Sequence, residues 1–463
     1  MGVCARRHRS ERCHLAQNDR SVRDRRNYTR DPARRSHFAF GAVSRVNHPP
    51  SVAVGPPLTL PLVLAACVGM LMLSMGIGRF AYTPILPDML AAGALTLRSA
   101  GLVAGANFAG YFIGAIVATA FATPIATRRL MLVALAVVVI TAEAMALANS
   151  PATFMAVRFV AGFASGIAFV YGTAIGMDTL IRIGARRHAL LIFVGIGSSI
   201  SATGLLVVWL QAIGAHWRDM WWGMSVLAVP VFSVTAWGFD RMLLAVPARL
   251  AAAGTPAEAP QPAGSAWPFV ALNLGYACFG MGYIIHATYL PTLVRSVPAL
   301  EHWATWSWVV VGLAAAPSPW VWSYLSERLG VHRAIAISFV VEAIAALAPF
   351  AGLGVAGVAI AAIGLGGTFV GISSLIIARG RAITTMASSR SIGILTVVFG
   401  AGQILGPIFA GYLAADSGGF LWPSVAACGA LLLGAWLSTR PQASAAASPI
   451  RTNTTTIRQE ATS

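Results

Sequence analysis

The sequence predicts an all-α polytopic membrane protein of twelve transmembrane helices in two pseudo-symmetric six-helix bundles. Three observations carry that expectation. The chain of 463 residues is 57% hydrophobic and 10% charged, far below the roughly 25% charged residues of soluble domains. Twelve apolar segments are long enough to cross about 30 Å of hydrocarbon as helices. Finally, Gly76-Ile-Gly-Arg-Phe-Ala-Tyr-Thr-Pro-Ile-Leu-Pro87 returns 204 positions later as Gly280-Met-Gly-Tyr-Ile-Ile-His-Ala-Thr-Tyr-Leu-Pro291. An internal duplication of that kind, inside a membrane, is the pattern of a transporter whose related bundles rock about a site between them.

Residues 1–57 precede the first apolar segment. Twelve arginines and four acids give this stretch a net charge of +8, within a whole-chain charge of +17. It has no apolar h-region and no helical or strand period, so it is expected to be a disordered tail rather than a secretory signal. Two explanations of it stand side by side: a misplaced start site, or a basic arm on anionic headgroups. The chain contains arginine but no lysine, and the arginines concentrate in the tail and loops. A nucleic-acid partner is therefore not expected.

The apolar segments run over 58–87, 99–122, 129–149, 152–180, 188–212, 219–239, 267–293, 303–325, 333–350, 353–378, 388–415 and 419–438. Segment one carries the Gly76/Gly78 frame with Arg79, Pro84 and Pro87. Segment three carries Glu143, and segment four carries Arg158-Phe-Val-Ala-Gly162. Segment five carries Gly195-Ile-Gly197, answered by Gly400-Ala-Gly402 in segment eleven. After segment six comes the Ala/Pro/Gly-rich linker 241–266, which separates bundle 58–240 from bundle 267–440. Segment seven repeats the frame of segment one and ends at Pro291. Trp303, Trp306, Trp308, Trp320 and Trp322 bracket segment eight as interfacial anchors. Segment nine carries Glu342, in Glu342-Ala-Ile-Ala345, which echoes Glu143-Ala-Met-Ala146 of segment three. Segment eleven holds Gly402-Gln-Ile-Leu-Gly406-Pro407, a tightly packed and bendable point. Residues 441–463 form a second disordered tail.

Loop charge sets the orientation. With the N-terminus inside, twelve arginines fall in cytoplasmic loops, and only Arg98, Arg218 and Arg295 fall outside. Both termini are therefore expected in the cytoplasm.

Ionisable groups within membrane spans usually face a cavity or a partner. Arg79 is the expected substrate anchor, because a guanidinium in a polar pocket suits a carboxylate or phosphate. Arg158, Glu143, Glu342 and His286 are candidates for proton coupling. Each also has a plainer reading: a tie to backbone carbonyls for Arg158, a packing role for the two acids, a satisfied core histidine for His286. Tyr82, Tyr111, Tyr171, Tyr283 and Tyr289 place hydroxyls near one level, either along a substrate path or at an interface. Glu327 and Arg328, followed by Gly330, form an acid–base pair that can latch neighbouring helices or simply add cytoplasmic charge. The isolated Cys67, Cys278 and Cys428 show no metal or redox spacing, and neither cofactor nor metal is expected. No His-Glu-x-x-His, Gly-x-Ser-x-Gly or phosphate-loop motif is present, so an enzyme is not expected.

These motifs resemble the major facilitator superfamily over residues 58–440. The Glu327-Arg328-Leu-Gly330 turn is similar to that family's basic loop, with Ser323 in place of its first Gly. In the equivalent loop after segment two, only Arg128 and Arg129 remain, and Pro124 stands where the acid would be. Arg158-x-x-x-Gly162 resembles the family's segment-four motif, whose Arg is associated with proton coupling. Gly402-x-x-x-Gly406-Pro407 resembles its Gly-Pro motif of segment five, here carried by segment eleven. More narrowly, the Gly76–Pro87 motif and Gly282-Tyr-Ile-x-x-x-Thr-Tyr-Leu-Pro291 resemble the YbfB/YjiJ group of bacterial transporters.

The resemblance implies that segments one, four, seven and ten face a central cavity, which makes Arg79, Tyr82, Arg158, Tyr283 and His286 the cavity candidates. The expected function is proton-coupled, alternating-access transport of a small organic solute by a monomer in the bacterial inner membrane, and the charge of Arg79, set against Tyr283 at the repeat position, suits an anionic solute. Gly76, Gly78, Pro84, Pro87, Pro291, Gly406, Pro407, Glu327 and Arg328 are its expected conformational residues. A membrane-embedded sensor or enzyme without solute flux is the alternative.

Overall fold

The computed structural model describes residues 58–120, 124–244, 267–384 and 388–439. The Arg-rich segment 1–57, most of the 241–266 connection and the 441–463 tail lie outside the described residues. What is described is helical throughout, with no strand among the described residues. Among the described residues, eleven helices are long and apolar enough to cross a membrane. Large apolar side chains such as Leu147, Val226 and Leu313 face outward from the body, where hydrocarbon rather than water is their natural neighbour.

The first span is built in three pieces: α1 (Leu60–Leu71), a π-helical stretch (Met72–Phe80) and α2 (Tyr82–Ala91). Then come α3 (Leu97–Ala120), α4 (Pro124–Leu147) and α5 (Pro151–Arg182). Pro151 takes the first position of α5, and the Ser150 hydroxyl accepts from the Thr153 N–H at 3.2 Å, a regular N-cap. A 3₁₀ stretch leads into α6 (Val194–Ala212), followed by α7 (Trp217–Leu244). The later spans are α8 (Trp267–Arg295), the pair α9 (Ala304–Ala315) and α10 (Ser318–Leu329), α11 (Val331–Leu347), α12 (Val355–Ala382), α13 (Ser388–Ser417) and α14 (Leu421–Ser438).

The apolar run 303–325 is therefore not one continuous helix. Pro317 and Pro319 have no N–H to offer the carbonyls four residues back, those of Leu313 and Ala315. The Ser318 hydroxyl takes over the Ala315 carbonyl at 3.0 Å, and the chain continues as a second helix of 12 residues. Between α10 and α11 the chain turns at Gly330, whose φ of +83° lies in the region that side chains avoid.

Glycine sets the tightest contacts. Gly110 and Gly114 of α3 lie on the Phe159 and Phe163 carbonyls of α5, and Gly162 and Gly166 of α5 lie on the Asn107 and Tyr111 carbonyls of α3. This reciprocal small-residue seam brings two backbones together. Spans one to six pack chiefly among themselves, with α5 against α3 and α4, and α7 against α1 and α4. Likewise α8 packs against α13 and α14, and α11 against α12 and α14. Two seams join the groups: α3 with α13, and α6 with α9. At the first, Gly101 faces the Pro407 carbonyl; at the second, Gly197 faces the Gly312 carbonyl.

The middle of the molecule joins at α2 and α8. The Thr83 hydroxyl donates to the Ala287 carbonyl at 3.3 Å. Pro291 frees that carbonyl, since residue 291 would otherwise have donated to it. Thr83 and Ala287 are counterparts at the 204-residue shift.

Candidate functional site

The π-helical stretch covers the frame that the sequence repeats. Gly76 lies against Ser199 of α6 and Gly78 against Ser165 of α5, with no room for a Cβ at either. The backbone N–H of Ala81 donates to Gly76, five residues back, at 2.7 Å. In that register the Arg79 carbonyl would fall to residue 84, which is Pro. Arg158 supplies the missing donor: its Nη2 reaches the Arg79 carbonyl at 2.6 Å and its Nη1 the Gly78 carbonyl at 3.1 Å. The Asn107 amide adds bonds to the Gly78 carbonyl at 3.0 Å and to the Arg158 carbonyl at 2.8 Å. Side chains from α3 and α5 thus hold open a widened turn that main-chain bonds alone would not keep.

That turn aims Arg79 into the centre of the body, where it is 7% exposed. Its guanidinium carbon lies 4.6 Å from the Tyr111 ring centre, 4.7 Å from Phe108 and 5.3 Å from Phe80. Nη2 donates to the Tyr283 hydroxyl at 3.4 Å, and Nη1 approaches the Met75 sulfur at 3.9 Å. The Gln403 amide donates to the same Tyr283 hydroxyl. No carboxylate among the described residues pairs with Arg79, and its Nε has no partner. Ring faces stabilise a desolvated guanidinium by about 0.5–2 kcal/mol each, and they take up none of its N–H donors. Arg79 lines a small cavity with Phe108, Arg158, Tyr82, Thr83 and Thr288.

Tyr82 also reaches the Ala100 carbonyl of α3, at 3.1 Å, and its ring lies 5.4 Å from the Arg158 guanidinium carbon. Tyr289 donates to the Pro407 carbonyl at 3.1 Å, which ties α8 to the kink of α13. Tyr171 and His286 are both buried in the core, and both ring nitrogens of His286 lack partners. Gly406 lies against Met281 of α8, so the Gly406-Pro407 point is also a close helix contact.

The two acids occupy different settings. Glu143 of α4 accepts from Ser225 of α7 at 2.9 Å. Glu342 of α11 is fully buried, accepts from Thr368 of α12 at 2.9 Å through Oε2, and leaves Oε1 without a partner. Their sequence echo has a shift of 199, not 204. The five-residue offset turns a helix face by roughly 140°, which accounts for the different neighbours. Glu327 and Arg328 are exposed at the end of α10, and Arg328 lies over the Tyr324 ring of its own helix at 5.1 Å. Among the described residues neither forms an ion pair with another helix.

Sequence reading missed Asn107 and Gln403, single amides in apolar runs whose only signal is their polarity. It also missed a clasp at the end of the bundle remote from the start of α1. There Asp88 of α2 accepts from Arg295 of α8 at 2.7 Å and from Gln211 of α6 at 2.8 Å, and Thr305 of α9 donates to Gln211 at 2.9 Å. At the same end Arg98 of α3 pairs with Asp416 of α13. Every one of these residues sits within a turn or so of a helix end.

A polytopic helical body, with a buried arginine cavity where its two groups of spans meet, is the build of a membrane transporter. Residues 71–439 match the family model described as uncharacterised MFS-type transporter YbfB, and the chain belongs to that family. No curated protein matches it.

Proposed function

We propose that this chain is a monomeric secondary transporter that carries a small organic anion across the bacterial inner membrane by alternating access, driven by protons. The observation that carries the reading is Arg79. It is a permanent charge at the centre of a membrane body, held by rings and hydroxyls rather than by a carboxylate. A desolvated cation without a counter-ion is costly, and an arriving anion removes that cost. The excess of arginine in the loops on one side supports a reading with both termini in the cytoplasm. The Asp88 clasp then lies on the outer side and closes it. Alternating access requires a second state in which that clasp is parted and the site faces outward.

For the coupling proton we assign Glu342, the buried acid with one unpartnered oxygen. Glu143 and His286 are secondary candidates. Arg158 is engaged with two carbonyls, and its contribution is to hold the turn that presents Arg79. Alternating access uses Gly76, Gly78, Pro84, Pro87, Pro291 and the Gly406-Pro407 point as close contacts and bends. Glu327 and Arg328 act at the cytoplasmic face.

The test is flux. The full chain in proteoliposomes should accumulate an organic anion when a pH gradient is imposed, and collapsing the gradient should abolish accumulation. Accumulation of cations only, or the absence of any solute flux, would overturn the proposal and favour a sensor.

A further inference from the structure

A second cavity adjoins the Arg79 cavity, and Phe80 and Ala287 line both. Its remaining walls are Tyr283, Trp308, Phe369 and aliphatic side chains, with no charged residue among them. The rings are ordered around it. Phe80 lies 6.1 Å from Trp308 and 6.3 Å from Phe369, and Phe369 stacks parallel to Tyr283 at 5.9 Å with a 1° interplanar angle. Tyr283, in the wall of the second cavity, links it to the cation: its hydroxyl meets Arg79 at 3.4 Å while its ring faces Phe369.

We infer that the solute is an aryl carboxylate, with its carboxylate on Arg79 and its ring between Phe80, Trp308 and Phe369. The inference rests on the anion-transport reading above and goes beyond it by naming the body of the solute. A planar carboxylate matches the guanidinium fork. The guanidinium carbon is 5.3 Å from the centre of Phe80, and Phe80 is the wall shared with the apolar slot. One aryl group spans that step. Aromatic walls favour a ring over an alkyl chain of similar length, because offset and edge contacts add to area burial. Such pockets combine an apolar lining with few polar groups that fix orientation. Both cavities are small in this conformation, so the ring enters as Phe80 and Phe369 separate.

The test is thermal stabilisation of the full-length protein in detergent, titrated separately with benzoate, phenylacetate, hexanoate, acetate and benzylamine. The two aryl carboxylates should stabilise at least tenfold more potently than hexanoate or acetate. Phe369→Leu, which keeps bulk but removes the ring, should erase that advantage, and Arg79→Gln should abolish stabilisation by every carboxylate. If hexanoate or acetate equals the aryl acids, or Phe369→Leu keeps the preference, the aryl assignment falls and anion transport stands. If benzylamine stabilises and no carboxylate does, both fall.

Discussion

Asp88 holds Arg295 with one carboxylate oxygen and Gln211 with the other, at 2.7 Å and 2.8 Å. One side chain thereby fastens the first span to the seventh and the fifth. The Asp88 and Arg295 side chains are 20% and 24% exposed, so their attraction is less screened than that of Arg98 and Asp416, at 56% and 59%. A part-buried pair of this kind is worth about 1–2 kcal/mol. Asp88→Asn should therefore shift the balance toward an outward-open state by roughly tenfold. The readout is labelling by an impermeant maleimide of a cysteine at position 292, one turn inside the clasp, with the native cysteines replaced by Ser. Labelling should rise several-fold in Asp88→Asn and fall again in the charge swap Asp88→Arg with Arg295→Asp. An unchanged rate would remove the clasp from the mechanism.

Arg158 spans two carbonyls that the widened turn and Pro84 leave short of donors. Arg158→Lys keeps the charge but offers a single ammonium in place of the fork. Leaving one buried carbonyl unpaired costs about 1–3 kcal/mol, so the melting temperature in detergent should drop by several degrees. If the drop is absent, the carbonyls have other donors.

The glycine seam between α3 and α5 gives an internally controlled prediction. A Cβ at Gly162 collides with the Asn107 carbonyl, whereas one at Gly367 meets nothing within 4 Å. Gly162→Ala should destabilise by about 1–3 kcal/mol. Gly367→Ala should be neutral or stabilise by about 0.5–1 kcal/mol, the ordinary helix gain. Comparable melting temperatures for the two variants would refute the seam.

Glu342→Gln preserves the shape of the side chain and its contact with Thr368 while removing the titrating oxygen. Accumulation driven by a pH gradient should be lost, and exchange of labelled for unlabelled solute should persist, since exchange needs no net proton movement. Uptake that still follows the gradient would move the coupling site to Glu143 or His286.

Much of this body is legible in hydropathy alone, because every span but the eighth is long and apolar enough to cross. The eighth hides its break, since Pro317 and Pro319 sit in an apolar run whose average masks two missing donors. Arg79 is legible through the repeated frame around it. The π-helical turn that aims it is not, because the turn depends on Arg158 and Asn107, which come from other spans. Asn107 and Gln403 lack any repeat partner, and their importance comes from where tertiary packing places them. The Glu143 and Glu342 echo shows the opposite failure: similar words, five residues out of step, face different neighbours.

Arg79 and Tyr283, like Thr83 and Ala287, are separated by 204 positions and touch each other. A position that meets its own counterpart lies on the rotation axis relating the two copies. In a homodimer of a single repeat, an arginine there would confront a second arginine at hydrogen-bonding distance, and the two charges would repel. Joining the copies in one chain lifts that restriction, because the two sides of the axis can then differ. The central cation is thus a residue that divergence between the two copies makes room for.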